Sequence, residues 1–171
     1  VVTLVSEQAS PHGKNIQDFC VELEHIGQGT GRLNGSAQTS EKSSLKTKFV
    51  ERDVLFSKLR PYLRKYWMAD REGVCSTEIW NFRADQTVIL PEYLYQVVQT
   101  EEFVRRANES HGSHMPRADW DVVKDYRFDL PPLHEQQAIA EVLSDMDAEV
   151  AALERHRDKT IVVNLGMAQE I

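Results

Sequence analysis

The chain has 171 residues, of which 41% are hydrophobic and 27% are charged, so it can bury one ordinary core and is not disordered by composition. It carries a net charge of −7, contains 2 cysteines and has no apolar run of the roughly 18 residues that a membrane-spanning helix requires. These properties argue against a uniformly basic protein, a disulfide framework and a membrane partner, and we expect a cytoplasmic location.

The first predicted elements are a loop and two strands. Residues 27–48 are rich in glycine and small polar residues, which indicates a long loop or a hairpin tip. Residues 49–56 have the composition of a strand with a turn at Arg52 and Asp53, and residues 74–82 have that of a second strand. The first half of the chain is therefore expected to be mainly β-structure.

A helix is predicted over residues 91–104, because Pro91 favours a helix start. Residues 111–116 are predicted as a loop, and residues 122–128 as a strand or turn. Strands followed by helix predict a mixed α+β globular domain, which we expect to comprise residues 1–132. The helical positions expected to be buried are Leu94, Val97 and Val98.

One long helix is predicted for residues 133–171. Residues 130–137 read LPPLHEQQ, and the two prolines bar a helix before Leu133 and favour a start just after them. Because no glycine or proline follows as far as Leu165, a rod of roughly 57 Å is expected. A helix of this length usually sets a distance or holds a partner.

The apolar positions of this helix follow the alternating spacing of a coiled coil. Further on, the pattern passes through Arg157 and resumes at Ile161, Leu165 and Ala168, a stutter that straightens the supercoil. The same pattern leaves open an amphipathic helix that lies on its own domain. The residues predicted to pair with a second helix are Ile139, Leu143, Met146, Val150 and Leu153.

Charge is unevenly distributed along the chain. Residues 42–65 contain eight lysines and arginines against two acids, whereas residues 134–171 contain three against eight acids. A local positive surface can bind DNA even in an acidic protein, since local potential governs contact. The alternative is a solvated surface, in which residues 58–65 form a strand that buries Leu59 and Leu63.

Motifs that would indicate catalysis are not found. Residues 27–31 read GQGTG and lack the spacing of both a dinucleotide loop and a phosphate loop. The HEQQA sequence that starts at His134 has alanine where a zinc protease needs its second histidine, and His111 and His114 have no third ligand nearby. We therefore predict no catalytic residue, no cofactor and no metal site.

Several segments together resemble the specificity subunit of type I restriction-modification systems, in particular one target recognition domain with its conserved spacer helix. Each segment is weak alone, but their order spans nearly the whole chain. The coiled-coil pattern and the RDKT sequence at residues 157–160 are also similar to the spacer helix. The matching segments are residues 29–33 (GTGRL), 53–65 (DVLFSKLRPYLRK), 75–79 (CSTEI), 112–117 (GSHMPR) and 130–137 (LPPLHEQQ).

The resemblance implies a non-catalytic subunit that reads one half of a split DNA sequence. A complete specificity subunit has two recognition domains and two antiparallel helices, which set the separation of the half-sites. This chain, with one of each, is expected to be a half-subunit that pairs with itself or a part of a longer chain. The implied partners are double-stranded DNA, methyltransferase subunits, a restriction subunit, and a second spacer helix supplied in cis or by homodimerisation.

The resemblance also divides residues by role. Segments common to relatives that read different sequences cannot themselves read bases, so we expect them to contact the DNA backbone. Loops that present amides and guanidinium groups are expected to read base edges. The expected backbone contacts are Lys58, Arg60, Tyr62, Arg64 and Lys65. The expected base-reading residues are Gln28, Arg32, Asn34, Gln38, Lys46, Ser113, His114 and Arg117.

Two other functions are weighed against this one. The first is a DNA-binding or adaptor protein with a coiled-coil dimerisation helix, unrelated to restriction. Pull-down of a methyltransferase subunit would favour the specificity subunit over this alternative. The second is a stand-alone enzyme such as a monomeric methyltransferase. It is disfavoured because 171 residues leave no room for a catalytic domain beside the one described.

Overall fold

Nine short β-strands form two sheets within residues 1–9, 18–38, 44–109 and 116–168, the part of the chain that the computed structural model describes. The four-stranded sheet has the order β1 (Val2–Val5), β9 (Ile79–Ala84), β6 (Val54–Ser57) and β7 (Tyr66–Met68). The five-stranded sheet has the order β2 (Gln8–Ala9), β5 (Lys46–Phe49), β8 (Gly73–Ser76), β3 (Phe19–Val21) and β4 (Ala37–Gln38). Strands β3 and β8 pair in parallel, and the other pairs are antiparallel.

Three short helices cover one face of the four-stranded sheet. They are α1 (Pro91–Val97), α2 (Glu101–Ala107) and α3 (Trp120–Val123). Phe103 of α2 packs edge-on against Phe56 of β6, with ring centroids 5.1 Å apart. Such aromatic pairs stabilise a core beyond the area that they bury.

The other face of the same sheet packs on the five-stranded sheet. Leu55 and Ile79 point to this side and contact Phe49 and Trp67, so they belong to a second core cluster. Successive residues of a strand point to opposite faces, and this period of two builds two cores from one central sheet. The predicted α+β fold is confirmed.

Each of the two predicted strands is in fact two strands that lie in different sheets. Residues 49–56 include the end of β5 and most of β6, joined by a turn in which Arg52 has a φ of 68°. The Asp53 carboxylate accepts a hydrogen bond from the Val50 amide at 3.0 Å and closes this turn. The turn was therefore predicted and the single strand was wrong. Residues 74–82 divide in the same way into β8 and β9. The division was not predicted, because the apolar residues on either side of the turn do not show which sheet each strand joins.

The predicted helix over residues 91–104 is likewise two helices. The Thr100 hydroxyl accepts a hydrogen bond from the Phe103 amide at 3.2 Å and so begins α2 as a separate helix. Of the strand or turn predicted over residues 122–128, the turn is the alternative that the structure shows: α3, which the Asp119 carboxylate caps, ends at Val123, and a turn follows at residues 124–125. The predicted loop at residues 111–116 lies almost wholly outside the described residues. Leu94, Val97 and Val98 are buried, as predicted.

The long helix α4 (Leu133–Ala168) begins directly after the two prolines and has 36 residues, which confirms the prediction of a long helix. It packs on α1, and its residues Gln136, Ala140 and Ala151 are buried. No helix in the described part of the chain combines the length and hydropathy that crossing a membrane would require.

Candidate nucleic-acid interface

The basic segment at residues 58–65 forms a tight turn and not a strand. One turn of 3-10 helix, Pro61–Leu63, stands between Arg60 and Arg64, whose φ angles are 51° and 49°. Residues other than glycine rarely adopt this left-handed conformation, and strain of this kind concentrates at functional sites. Tyr62, at the outside of the turn, has 49% of its surface exposed.

The turn is held in place by main-chain hydrogen bonds to the segment at residues 116–118. The Arg60 amide donates to the Pro116 carbonyl at 2.8 Å, and the Ala118 amide donates to the Lys58 carbonyl at 2.7 Å. The side chains of the turn are therefore not needed to stabilise its conformation. Within the described residues, Lys58, Arg60 and Tyr62 have no side-chain hydrogen bond or ion pair, so their polar groups are available to a ligand.

The other two residues expected at the DNA backbone bind the protein itself. The Lys65 ammonium donates to the Leu23 carbonyl at 2.5 Å. The Arg64 guanidinium pairs with the Glu101 carboxylate and donates to the Gln99 carbonyl at 3.3 Å. Both side chains are partly buried. We infer that their main role is to hold the turn against the neighbouring segments.

The first loop predicted to read bases lies beside this turn. Its Gly29 amide donates to the Arg64 carbonyl at 2.9 Å, and residues Gln28 and Lys65 form an isolated β-bridge. Residues 39–43 of the loop predicted over residues 27–48 lie outside the described part of the chain. Four of the residues predicted to read bases are exposed. The exposed readers are Gln28, Arg32, Asn34 and Gln38.

Two tyrosines support the loop from below. The Tyr66 hydroxyl donates to the Gly29 carbonyl at 3.1 Å, and Tyr66 packs edge-on against Tyr95. Burial raises the pKa of both phenols above the ordinary value, so they remain neutral. Gly31 has a φ of 64°, and a Cβ there would lie 1.9 Å from the Tyr95 hydroxyl, so no larger residue fits this position. The loop is thus presented on a rigid support.

Lys46 is the predicted base reader that the structure places inside the protein. Only 3% of its side chain is exposed, and its ammonium lies 2.8 Å from the Glu22 carboxylate and 2.8 Å from the Ser44 hydroxyl. Its polar neighbours in sequence suggested an exposed loop, but β5 lies between β2 and β8. A buried, paired ammonium cannot reach a base edge, and Lys46 is therefore corrected to a structural residue.

The second predicted loop is represented by one of its three residues. Arg117 is exposed, lies 3.0 Å from the Glu78 carboxylate, and forms an isolated bridge with Leu59 beside the basic turn. Ser113 and His114 lie outside the described residues. The structure therefore brings together three segments, at residues 28–34, 58–65 and 116–118, on one stretch of surface.

The predicted pairing seam of α4 is exposed. Ile139, Leu143, Met146, Val150 and Leu153 are 39%, 38%, 58%, 55% and 63% exposed, respectively. Since the buried strip of α4 is formed by other residues, the alternative in which this apolar face lies on its own domain is not what the structure shows. The seam is free to bind a second helix, and that pairing remains a prediction.

Sequence reasoning missed Gln136, which joins α4 to the globular domain. Its amide oxygen accepts from the Leu90 amide at 2.8 Å, and its nitrogen donates to the carbonyls of Val88 at 3.0 Å and Pro131 at 2.8 Å. The side chain is fully buried. Its position one turn after two prolines was the available signal, but a polar residue near a helix start is ordinarily exposed.

Comparisons with known proteins agree on one family. The family described as type I restriction modification DNA specificity domain matches residues 24–162. The EcoDI specificity subunit of Escherichia coli is 24% identical over 150 residues, which are 86% of this chain and 33% of that protein. The MjaVIII specificity subunit of Methanocaldococcus jannaschii is 22% identical over 59% of this chain and 24% of that protein.

A solved structure shows the same fold. The HsdS subunit from Thermoanaerobacter tengcongensis superimposes with a TM-score of 0.77 at 22% identity, over 92% of this chain and 43% of the HsdS chain. A second structure, from work on complex assembly of the type I restriction-modification system, gives 0.76 at 21% identity over 93% and 43%. The chain thus spans a third or less of the curated relatives' length and under half of the two solved chains.

Proposed function

Since the chain belongs to the family of type I restriction-modification DNA specificity domains, we propose that it recognises one half of a bipartite DNA sequence, as a half-subunit or as part of a longer specificity subunit. Residues 1–132 are the recognition domain in this proposal, and residues 133–171 are the spacer helix. Membership of this family also counts against an unrelated adaptor. The role places the chain in the cytoplasm.

The observation that carries the proposal is the surface formed by the three adjacent segments. Lys58, Arg60 and Tyr62 project from a strained turn without partners among the described residues, as groups that bind phosphates would. Arg32 and Asn34 are exposed on the neighbouring loop and carry the forked donors and amides that pair with guanine and adenine edges. Gln28, Gln38 and Arg117 complete the proposed readers.

The chain in this proposal supplies recognition, while catalysis and its cofactors belong to partner subunits. Methyltransferase subunits would bind along α4 and the domain, and a restriction subunit would join the full complex. A second spacer helix, in cis or from a second copy, would cover the exposed seam. Antiparallel pairing is proposed, because it places two recognition domains at opposite ends of a rod, as two separated half-sites require.

Selection of preferred half-sites from a random duplex library, followed by titration of Arg60→Ala, tests the proposal. We expect weaker binding to all sequences alike and a salt dependence reduced by about one phosphate contact, because Arg60 neutralises backbone charge. Arg157→Ala is the matched control, since Arg157 is an exposed arginine that pairs with Asp158 on α4, outside the three segments. Failure to enrich any half-site would contradict the proposal.

Arg32→Ala should have the opposite signature. We expect a loss of about 1 to 3 kcal/mol on the preferred half-site and little change on other sequences, because a base contact is lost and no phosphate contact is. Binding isotherms on preferred and scrambled duplexes measure both. A uniform loss on every sequence would assign Arg32 to the DNA backbone.

A further inference from the structure

Helix α4 touches the globular domain over a narrow strip. Of the described residues of the helix, Gln136, Ala140 and Ala151 are the ones that are buried, and two of these three are alanines. Apolar burial is proportional to area and has no direction, so small side chains allow a helix to slide or tilt at little expense. Apolar contact alone therefore does not explain a defined orientation for α4.

Gln136 supplies the direction that the apolar contact lacks. Its three hydrogen bonds, to Leu90, Val88 and Pro131, use both amide hydrogens and the amide oxygen. Leu90 is the residue before α1, and Pro131 precedes α4 itself, so one side chain ties the start of the long helix to the start of the helix on which it lies. A tilt or a shift of α4 would leave these buried groups without partners, which is strongly unfavourable.

We propose that Gln136 is a positioning residue that fixes the direction of α4 relative to the recognition surface, and that it thereby sets the half-site separation that the protein accepts. The inference rests on the proposed function. A buried polar residue that specifies one arrangement among several is well attested in coiled coils, where a single buried asparagine sets the register.

The length of the helix makes its direction decisive. From residue 136 to residue 163 the helix extends for about 40 Å. A tilt of about 10° at Gln136 would displace the far end by about 7 Å, which is about two base-pair steps of roughly 3.4 Å. A less rigid attachment of α4 to the domain would therefore widen the range of half-site separations that the protein accepts, without altering the residues that contact DNA.

The direction of α4 can be measured as a distance distribution between two nitroxides by pulsed electron paramagnetic resonance. Asp70→Cys on the domain and Arg157→Cys on the helix provide exposed attachment sites, whereas Cys20 and Cys75 are buried. Dilution with unlabelled chain removes distances between copies. Gln136→Met should widen the distribution at least about twofold, because a tilt at the joint is amplified along the rod.

The matched control is Gln137→Met, since Gln137 is exposed and, among the residues that the structure describes, its side chain bonds to Glu141 of the same helix alone. It should leave the distribution unchanged. A second variant, Gln136→Asn, keeps the amide but is too short to reach three partners, so it should also widen the distribution while disturbing the fold less than methionine. Thermal unfolding confirms that each variant is folded before its distances are compared.

Duplexes carrying two preferred half-sites, with spacers varied one base pair at a time, test the consequence for recognition. The paired reference protein should select one spacer, and Gln136→Met should accept its neighbours within about tenfold while affinity for a single half-site is unchanged. A Gln136→Met distribution as narrow as the reference overturns the inference. Absence of any half-site preference in the unaltered protein overturns the proposed function instead, and the distance distribution still decides the role of Gln136.

Discussion

The globular domain and the outer part of α4 differ in where their apolar side chains lie. Phe49, Leu55 and Phe56 are fully buried between elements of the domain, whereas Met146 and Leu153 of the helix are 58% and 63% exposed. Burial of apolar surface is the main favourable term in folding. The apolar side chains of the domain are therefore covered within the domain, whereas the helix presents an exposed apolar surface that the proposed second helix would cover.

The polar interactions of the two regions differ in the same sense. In the domain the Asp53 carboxylate is bound by Arg83, which is 30 residues away in sequence. In the helix, Arg157 pairs with its immediate neighbour Asp158. Long-range pairs specify a tertiary structure, whereas local pairs on an exposed helix contribute little.

The largest effect is expected from charges introduced into the seam. Leu143→Glu combined with Val150→Glu should abolish self-association, because pairing two such helices would bury four carboxylates at several kcal/mol each. The domain should remain folded, since neither residue contributes to its core. Sedimentation velocity measures the change from dimer to monomer.

The matched control places two glutamates on the helix face that points away from both the seam and the domain. Ala148→Glu combined with Ala152→Glu adds the same charge at exposed positions and should leave association intact. An unaltered chain that is monomeric at high micromolar concentration would contradict the prediction, because the exposed seam of the helix would then need no partner.

The next effect concerns the reactivity of cysteines. Burial raises the pKa of the Cys75 thiol well above its ordinary value, so little reactive thiolate forms, and Cys20 beside it is also buried. Both should react with a thiol reagent at least about 1000-fold more slowly than Arg157→Cys on the helix, because reaction requires opening of the domain. Absorbance after mixing with a chromogenic disulfide reports the rates. Equal rates would show that the domain opens as readily as the exposed helix.

The third effect is a loss of domain stability. Asp53 is 2% exposed and accepts hydrogen bonds from Val50, Arg83 and the fully buried Asn81, so Asp53→Ala removes a buried acceptor that three donors share. The free energy of unfolding should fall by about 2 to 4 kcal/mol, as measured by urea denaturation. Asp70→Ala, which removes an exposed pair with Arg71, should change it by less than about 0.5 kcal/mol. Similar losses for both would mean that the buried carboxylate does not stabilise the domain.

Local patterns predicted the elements that depend on local interactions. The prolines before Leu133 and the regular spacing of apolar residues placed α4 correctly, and Pro91 placed the start of α1. The turn at Arg52 and Asp53 was also predicted, but the change of sheet at this turn was missed, because it depends on tertiary contacts. The turn that carries Asp53 closes on Asn81 and Arg83 from a distant strand, and no window of sequence around residue 53 contains either.

The candidate site was predictable by segment and less so by residue. Three segments chosen from sequence lie side by side, but Lys46 is buried against Glu22, and Lys65 donates to the Leu23 carbonyl. A lysine in a polar stretch has the same sequence environment whether it meets solvent or a buried carboxylate. Gln136 was missed for the converse reason, since its partners are main-chain groups that leave no trace in residue identity.

That choice of partners has an evolutionary consequence. Gln136 binds the backbone of Val88, Leu90 and Pro131 and none of their side chains. Substitutions at positions 88 and 90 can therefore accumulate without loss of the joint, provided that the backbone keeps its course. A domain that differs at these positions can therefore still be held on α4 at the same angle, because the main chain supplies the partners of Gln136.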